Sequence, residues 1–165
     1  MKKALLMTMG ILLVVLWAGA VCAGHSRFVF SEDTVKDRQT GLVWFREADL
    51  WRDVTWDDAQ ELIKTMNREK SGGYTDWRIP SKEELETLLV YARNSGNKDG
   101  ESNLSPDDLY NKMGFSGVRS TPYWTSTPDA TNPNNVWYVD IKYGRADVFN
   151  KQGFSFFVWP VRGGK

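Results

Sequence analysis

Cysteine and histidine are almost absent from this chain. The single cysteine is Cys22 and the single histidine is His25, both close to the amino terminus. A Ser-His-Asp triad, a histidine metal cluster and a cysteine nucleophile all need these residue types inside the folded domain. We therefore expect none of these centres, and we expect the domain to be held together by its hydrophobic core instead of by disulfides.

An excess of charge of one sign is also missing. The chain has 21 basic and 21 acidic residues, and no basic run or stripe stands out among them. Proteins that bind nucleic acids build their affinity for phosphates mainly from clustered lysine and arginine. The sequence therefore predicts no nucleic-acid partner.

Residues 1–23 have the layout of a secretory signal peptide. Lys2 and Lys3 precede an apolar run over residues 4–21, and the small residue Ala23 ends the segment. Cleavage after Ala23 would leave residues 24–165 as a single domain with no cysteine and no membrane span. We expect this domain in the periplasm or at the cell surface.

Two alternatives to cleavage stay open. The apolar run is close to the roughly 20 residues that cross a bilayer, so it is also compatible with an uncleaved anchor. Lipid attachment at Cys22 is the second alternative, although Val21 is bulky where lipoprotein signals usually have a small residue. Either of them would tether the domain to a membrane.

Capping patterns predict two main helices. Thr55 and Asp58 match a capping box at the start of the first helix, and Ser81 and Glu84 match one at the start of the second. Apolar residues recur at helical spacing after each start. Ser105 and the proline after it predict a short third helix.

Alternating residues and turn signals predict strands on both sides of the helices. The predicted strands are Arg27–Phe30, Thr34–Asp37, Leu42–Phe45, Val136–Ile141, Ala146–Phe149 and Phe154–Val161. The last three form an aromatic antiparallel meander. We therefore predict an α+β domain with an antiparallel sheet, two main helices and long loops.

An ordered set of aromatic motifs extends over most of the domain. The motifs are Thr40–Trp44, Thr55–Trp56, Gly73–Pro80, Tyr123–Ser126, Val136–Val139 and Pro160–Gly164. Together they resemble the C-terminal domain of bacterial collagen-like adhesins, the Lcl C-terminal domain. The resemblance implies a fold like that of C-type lectins and formylglycine-generating enzymes, secretion, and binding of surface polymers such as sulfated glycans.

The sequence departs from those relatives in several ways. It has no Gly-X-Y tract that would form a collagen trimer, and without its leader it is slightly acidic, whereas a sulfated ligand favours a basic surface. The cysteine chemistry of formylglycine-generating enzymes does not carry over, because residues 24–165 contain no cysteine. No pattern predicts a cofactor.

The loop over residues 127–135 is the predicted ligand site. Amide and carboxylate side chains there match the hydroxyl groups of a sugar, and tryptophans on either side match its apolar face. The candidate residues are Trp124, Asp129, Asn132, Asn134, Asn135 and Trp137. The alternative interpretation is a turn of asparagine and proline residues that binds nothing.

Acidic residues of the chain would suit two further kinds of site, a calcium site and a hydrolase active site. Calcium would be held by Asp129, Asn134 and Asp140, the residues of this region with oxygen ligands. A glycoside hydrolase would need two carboxylates across a cleft, and Asp129, Asp140 and Asp147 lie on segments able to converge. Solvated surface acids are the commoner explanation.

Other motif residues are predicted to be structural. Trp44, Trp77 and Trp159 have neighbours typical of a core. Arg78 and Arg162 are expected to tie loops together through carboxylates or carbonyls, with Asp76 as the partner of Arg78.

Three functions remain open from the sequence. The first is an exported, non-catalytic recognition domain that binds a glycan or a protein of the envelope or cell surface. The second is an accessory subunit that packs against an envelope partner, for which an exposed apolar patch would argue. The third is the carboxylate hydrolase.

Overall fold

The computed structural model describes residues 26–96 and 113–164. The predicted signal peptide, Cys22, His25 and the predicted helix at Ser105 lie outside the described residues. Among those residues the chain forms two α-helices, α1 (Trp56–Arg68) and α2 (Lys82–Gly96). A short 3₁₀ turn, Ser71–Gly73, lies between them.

The described residues contain nine strands. They are β1 (Phe28–Phe30), β2 (Thr34–Asp37), β3 (Val43–Phe45), β4 (Trp51–Val54), β5 (Pro122–Pro128), β6 (Asn135–Asp140), β7 (Arg145–Asn150), β8 (Phe156–Val158) and β9 (Val161–Arg162). One sheet has the order β1-β2-β3-β9 and the other the order β4-β8-β5-β6-β7. The predicted α+β class is confirmed.

Both helices begin at the predicted caps. The hydroxyl of Thr55 accepts the amide of Asp58 at 3.2 Å. The hydroxyl of Ser81 accepts the amide of Glu84 at 3.2 Å, and a Glu84 carboxylate oxygen accepts the amide of Ser81 at 2.8 Å. These bonds satisfy amides that the first helical turn leaves without a partner.

A tight hairpin joins β2 and β3. The amide of Gly41 donates to the carbonyl of Asp37 at 2.9 Å, and the amide of Asp37 donates to Leu42. Gly41 has φ of +76°, a conformation that residues with a Cβ rarely adopt. The turn therefore depends on glycine at this position.

Two hydrophobic clusters pack on opposite faces of the five-stranded sheet. Because side chains alternate along a strand, Tyr123 and Val139 lie on one face and Trp124 and Tyr138 on the other. Helix α2 packs on the first face through Leu85, Leu88, Leu89 and Ala92. Helix α1 contributes Ala59, Ile63 and Met66 to the cluster on the second face.

The prediction of a single strand over Phe154–Val161 is wrong. The chain leaves the five-stranded sheet after β8 and enters the four-stranded sheet at β9, and the residues between are Trp159 and Pro160. Pro160 has no amide to donate to a continuous ladder. Trp159 is fully buried, and its Nε1 donates to the carbonyl of Phe45 at 2.9 Å. This crossing ties the two sheets together.

The sheet is also not purely antiparallel. Strand β8 pairs with β5 in parallel, with Tyr123 opposite Phe157. Strand β4, which the sequence analysis missed, pairs with β8 across a register shift between Trp51 and Val54. A strand of four residues with a bulge does not show the alternation that predicts longer strands.

Candidate functional site

The predicted ligand loop is shorter than the sequence indicated. Strand β5 continues to Pro128, so the loop has only residues 129–134. The carboxylate of Asp129 accepts the amide and the hydroxyl of Thr131, both at 2.9 Å. The side chain of Asn132 accepts the amide of Asn134 at 3.0 Å. These polar groups are therefore used mostly to fold the loop itself.

The hydrogen bonds that fold the loop also lower the pKa of Asp129. The hydrogen bond from the backbone amide of Thr131, followed by the one from its hydroxyl, holds the pKa of Asp129 below its ordinary value. Asn135 adds a longer contact of 3.4 Å from its side-chain amide. The carboxylate thus stays charged while it closes the turn.

The prediction that Trp124 binds a ligand is wrong. Its side chain is fully buried, its Nε1 donates to the carbonyl of Val54 at 2.8 Å, and its ring lies 4.5 Å from that of Phe156. Trp137 is half-buried and points to the opposite face of β6, where the ammonium of Lys82 lies 4.9 Å from its ring. The two tryptophans therefore do not form one surface.

The structure does not bring the predicted calcium ligands together. Asn134 lies just before β6 and Asp140 ends it, so about 17 Å of extended strand separates the two ends. Oδ1 of Asp140 accepts the amides of Lys142 and Tyr143 in the next turn. Among the described residues, no group of three or more acidic, histidine or cysteine side chains is placed to hold a metal ion.

The length of β6 also separates two of the three carboxylates predicted for a hydrolase. Asp129 lies at one end of β6, and Asp140 lies at the other. Asp140 and Asp147 share one face of the β6–β7 pair, since Asp147 lies opposite Tyr138 and Asp140 follows Tyr138 by two residues. The three carboxylates therefore do not converge.

A polar cleft lies between the predicted loop and the turn that joins β7 to β8. Its volume is about 380 Å³, and we call it the turn cleft. Its lining residues are Asp57, Pro133, Asn134, Asn150, Lys151 and Gln152. Of the predicted ligand residues, only Asn134 is among them.

Backbone and side-chain bonds fix the walls of the turn cleft. The amide of Lys151 donates to the carbonyl of Asn134 at 3.0 Å, and its ammonium donates to the carbonyl of Pro133 at 2.8 Å. The side-chain amide of Gln152 donates to Asp57 at 3.2 Å. The turn is therefore joined both to the loop and to the first turn of α1.

The ring of Trp56 contacts Lys151, one of the residues that line the turn cleft. The ammonium of Lys151 lies 4.8 Å from the ring of Trp56, a distance at which a cation is attracted to an aromatic face. The Nε1 of Trp56 donates to the carbonyl of Thr125 at 2.9 Å. The ring is therefore held in one orientation at the cleft.

Aromatic side chains form a continuous surface next to the turn cleft. This aromatic face consists of Tyr138, Phe149, Phe154 and Phe156. Ring centroids lie 4.2 Å apart for Phe149 and Phe154 and 4.9 Å apart for Tyr138 and Phe156. Phe154 is 53% exposed and the other three are half-buried. Phe149 and Phe154 flank the same turn that lines the cleft.

The arginines of the sequence motifs make two separate forks. Arg78 donates to both carboxylate oxygens of Glu84, at 2.7 and 2.6 Å, and to the carbonyl of Gly163 at 2.8 Å. Arg162 donates to Asp76 at 2.6 and 3.1 Å. The prediction that Asp76 is the partner of Arg78 is therefore wrong. Glu84 reaches Arg78 because the capping box turns its carboxylate back toward the start of α2.

Most residues of the turn cleft were not predicted from the sequence. No pattern in the sequence indicated a role for Asp57, Asn150 or Lys151. These residues meet because β7 and β8 flank the turn while β5 and β6 flank the loop at the same end of the sheet. That proximity depends on the strand order, which no local pattern in the sequence reports.

Most of the chain matches a known domain family. Residues 33–162 match the family model of the Lcl C-terminal domain. The chain belongs to this family. The match contains both helices of this Lcl C-terminal domain, every strand after β1, the turn cleft and the aromatic face. No curated protein matches the chain significantly.

Within residues 26–96 and 113–164, neither helix of this Lcl C-terminal domain is long and apolar enough to cross a bilayer.

Proposed function

We propose that this chain is an exported, non-catalytic recognition domain that binds a glycan at the turn cleft and the adjoining aromatic face. Export to the periplasm or the cell surface is supported by the signal-peptide layout of residues 1–23. Membership of the Lcl C-terminal family supports recognition of surface polymers. A fold like that of C-type lectins belongs to this proposal as well.

One observation carries the proposal. The turn between β7 and β8 contributes Asn150, Lys151 and Gln152 to a polar cleft, and the exposed ring of Phe154 follows it directly. Hydrogen-bonding groups and an accessible apolar ring therefore lie side by side on one short segment.

This pairing suits the chemistry of a sugar. A pyranose ring has hydroxyl groups around its edge and an apolar face of C–H groups. The amides of Asn134 and Asn150 are able to both donate to and accept from hydroxyls. Phe154 offers an apolar surface of matching size, and only part of it is used in its contact with Phe149.

The test is a glycan array probed with the purified chain, with calcium and with a chelator, at low and moderate salt. Phe154→Ala is compared with Phe30→Ala, because Phe30 is a similarly exposed phenylalanine, at 61%, on the other sheet. We expect selective binding that survives moderate salt, falls about tenfold or more in the Phe154 variant and is unchanged in the Phe30 variant.

Two results would contradict this proposal. Binding that Phe30→Ala reduces as much as Phe154→Ala does would place the ligand elsewhere. Absence of binding to every glycan by a folded, monodisperse chain would remove the glycan altogether.

A second function is favoured by a different surface. Val29 and Phe30 on β1 are 41% and 61% exposed, next to each other at the edge of the four-stranded sheet. An accessory subunit would use such an apolar edge against an envelope protein. Loss of a cross-linked envelope partner in Phe30→Ala, with Phe154→Ala unaffected, would support this function over the first.

A further inference from the structure

An exposed carboxylate lies beside the aromatic face. Asp147 on β7 is directly opposite Tyr138 on β6, and directly opposed residues share one side of a sheet. Oδ1 of Asp147 accepts the amide of Val148 at 2.7 Å. None of the ion pairs among the described residues includes Asp147. Its charge therefore faces solvent next to the rings.

The two cations closest to Asp147 in sequence, Arg145 and Lys151, make their contacts with other groups. The guanidinium of Arg145 lies 4.8 Å from the ring of Tyr143, at the turn between β6 and β7. The ammonium of Lys151 is bonded to the carbonyl of Pro133 and lies over Trp56. Neither contact is with Asp147, although the charge of Arg145 offsets part of the effect of the aspartates at Tyr138.

The pKa of the Tyr138 hydroxyl depends on the same charges. Burial is the largest cause that raises the pKa of its hydroxyl, and the negative charges of Asp147 and Asp140 raise it further, against the opposing charge of Arg145. Burial disfavours a charge of either sign, so only the effect of the two aspartates, set against that of Arg145, favours a positive group over a negative one at this position.

We propose that the aromatic face and Asp147 select a glycan that carries a protonated amine, such as an unacetylated hexosamine. The inference rests on the proposed glycan function and adds the chemical class of the ligand. The amine would lie over the rings of Tyr138 and Phe149 and near the carboxylate of Asp147, while neutral hydroxyls fill the turn cleft.

Two attractions act on such an amine and on no acetylated sugar. A cation is drawn to the face of an aromatic ring through the ring quadrupole. A carboxylate adds a charge-assisted hydrogen bond, which is stronger than one between neutral groups. An N-acetyl group carries no charge and gains neither of them.

The test measures affinities for glucosamine oligomers and N-acetylglucosamine oligomers of equal length by calorimetry, at a pH where the amines are protonated. We expect the wild-type chain to prefer the amine form by about fivefold, the size expected for a solvent-exposed cation on aromatic rings with a nearby carboxylate. Asp147→Asn should lower this ratio to the part that the aromatic rings alone supply, and it should leave the affinity for the acetylated oligomer unchanged.

Asp53→Asn is the matched control. Asp53 is an exposed aspartate on β4, the opposite edge strand of the same sheet, and its φ of +52° suits asparagine. The control removes the same charge from the chain without touching the aromatic face. It should keep the fivefold preference.

The outcomes separate this inference from the proposed function. If neither oligomer binds but another neutral glycan does, or if both oligomers bind equally and Asp147→Asn changes nothing, the selection of amines is wrong while glycan recognition stands. If oligolysine binds as tightly as the glucosamine oligomer, the site responds to charge alone and the inference fails. If no glycan of any kind binds, the proposed function itself has failed.

Discussion

The two faces of the five-stranded sheet use aromatic residues in opposite ways. On the face that packs against α2, the side chains of Tyr123, Val139 and Ile141 are fully buried. On the other face, Tyr138 is half-buried and Phe154 is 53% exposed. The same strands therefore carry a sealed core on one side and a partly open aromatic surface on the other.

The difference shows that aromatic content alone does not identify a binding surface. Trp124 and Tyr138 lie next to each other across β5 and β6, yet Trp124 is sealed by Val54 and Phe156. What distinguishes the open surface is the exposed ring of Phe154 and the polar turn at its edge. Variants in the two regions should therefore separate stability from binding.

The largest expected effect is the loss of stability in Trp159→Ala. Trp159 is fully buried, packs against Trp44 and Phe115, and bonds to Phe45. Truncating a buried tryptophan should lower the free energy of unfolding by about 3–5 kcal/mol. Urea unfolding followed by circular dichroism measures the change, with half-buried Trp137→Ala as the control. Equal losses in both variants would contradict the contrast between the core and the surface.

A pH-dependent contribution from Asp37 comes next. Burial opposes its ionisation, but hydrogen bonds from Arg27, the amide of Gln39 and the hydroxyl of Thr40 outweigh burial, so its pKa is lowered. Because the folded pKa lies below the unfolded value of about 3.9, the stabilisation is complete above that pH. It is lost as the pH falls through the folded pKa.

Acid unfolding of Asp37→Asn checks this prediction. The wild-type chain should lose stability below about pH 4 more steeply than the variant, and at pH 7 the variant should be less stable by about 1.5–3 kcal/mol. Parallel acid unfolding curves for the two chains would contradict the assignment.

A smaller effect is expected from Glu84→Gln. The side chain of Glu84 is 21% exposed and pairs with that of Arg78, which is 40% exposed, so solvent screens part of the attraction. The change should cost about 1–2 kcal/mol in thermal unfolding, since glutamine keeps the capping contact to Ser81 but loses the charge. Glu83→Gln, at a side chain 67% exposed, should cost almost nothing. A larger loss at Glu83 than at Glu84 would show that the ion pair is not the cause.

The smallest stability change is expected at the open surface. Phe154→Ala should lower the free energy of unfolding by about 1 kcal/mol or less, because roughly half of the ring already contacts water. Its binding defect should be large by comparison. A stability loss similar to that of Trp159→Ala would mean that the aromatic face belongs to the core.

Local patterns predicted much of the fold. The caps at Thr55 and Ser81 were correct because each depends on groups a few residues apart. The split of β8 from β9 was missed because the apolar run Phe156–Trp159 continues past the end of β8, and only the tertiary structure shows that the chain changes sheets there. The partner of Arg78 was missed for a similar reason, since a capping carboxylate and a nearer aspartate look alike in sequence.

The candidate site was less predictable than the fold. Asn134 was identified from its residue type, but the side of the sheet on which Trp124 lies depends on register, which a bulge in β5 alters. The residues from α1 and from the β7–β8 turn join Asn134 only through the strand order. The sequence predicted one wall of the cleft, at Asn134, and no local pattern predicted the other walls.

The crossing at Trp159 and Pro160 has a consequence for how the chain folds during its synthesis. Strand β8 lies between β4 and β5, and β9 completes the sheet that contains β1 to β3, so neither sheet is finished until residues 156–162 are available. Contacts between such distant parts of a sequence slow folding. Neither sheet can therefore be completed during synthesis before this last segment has left the ribosome.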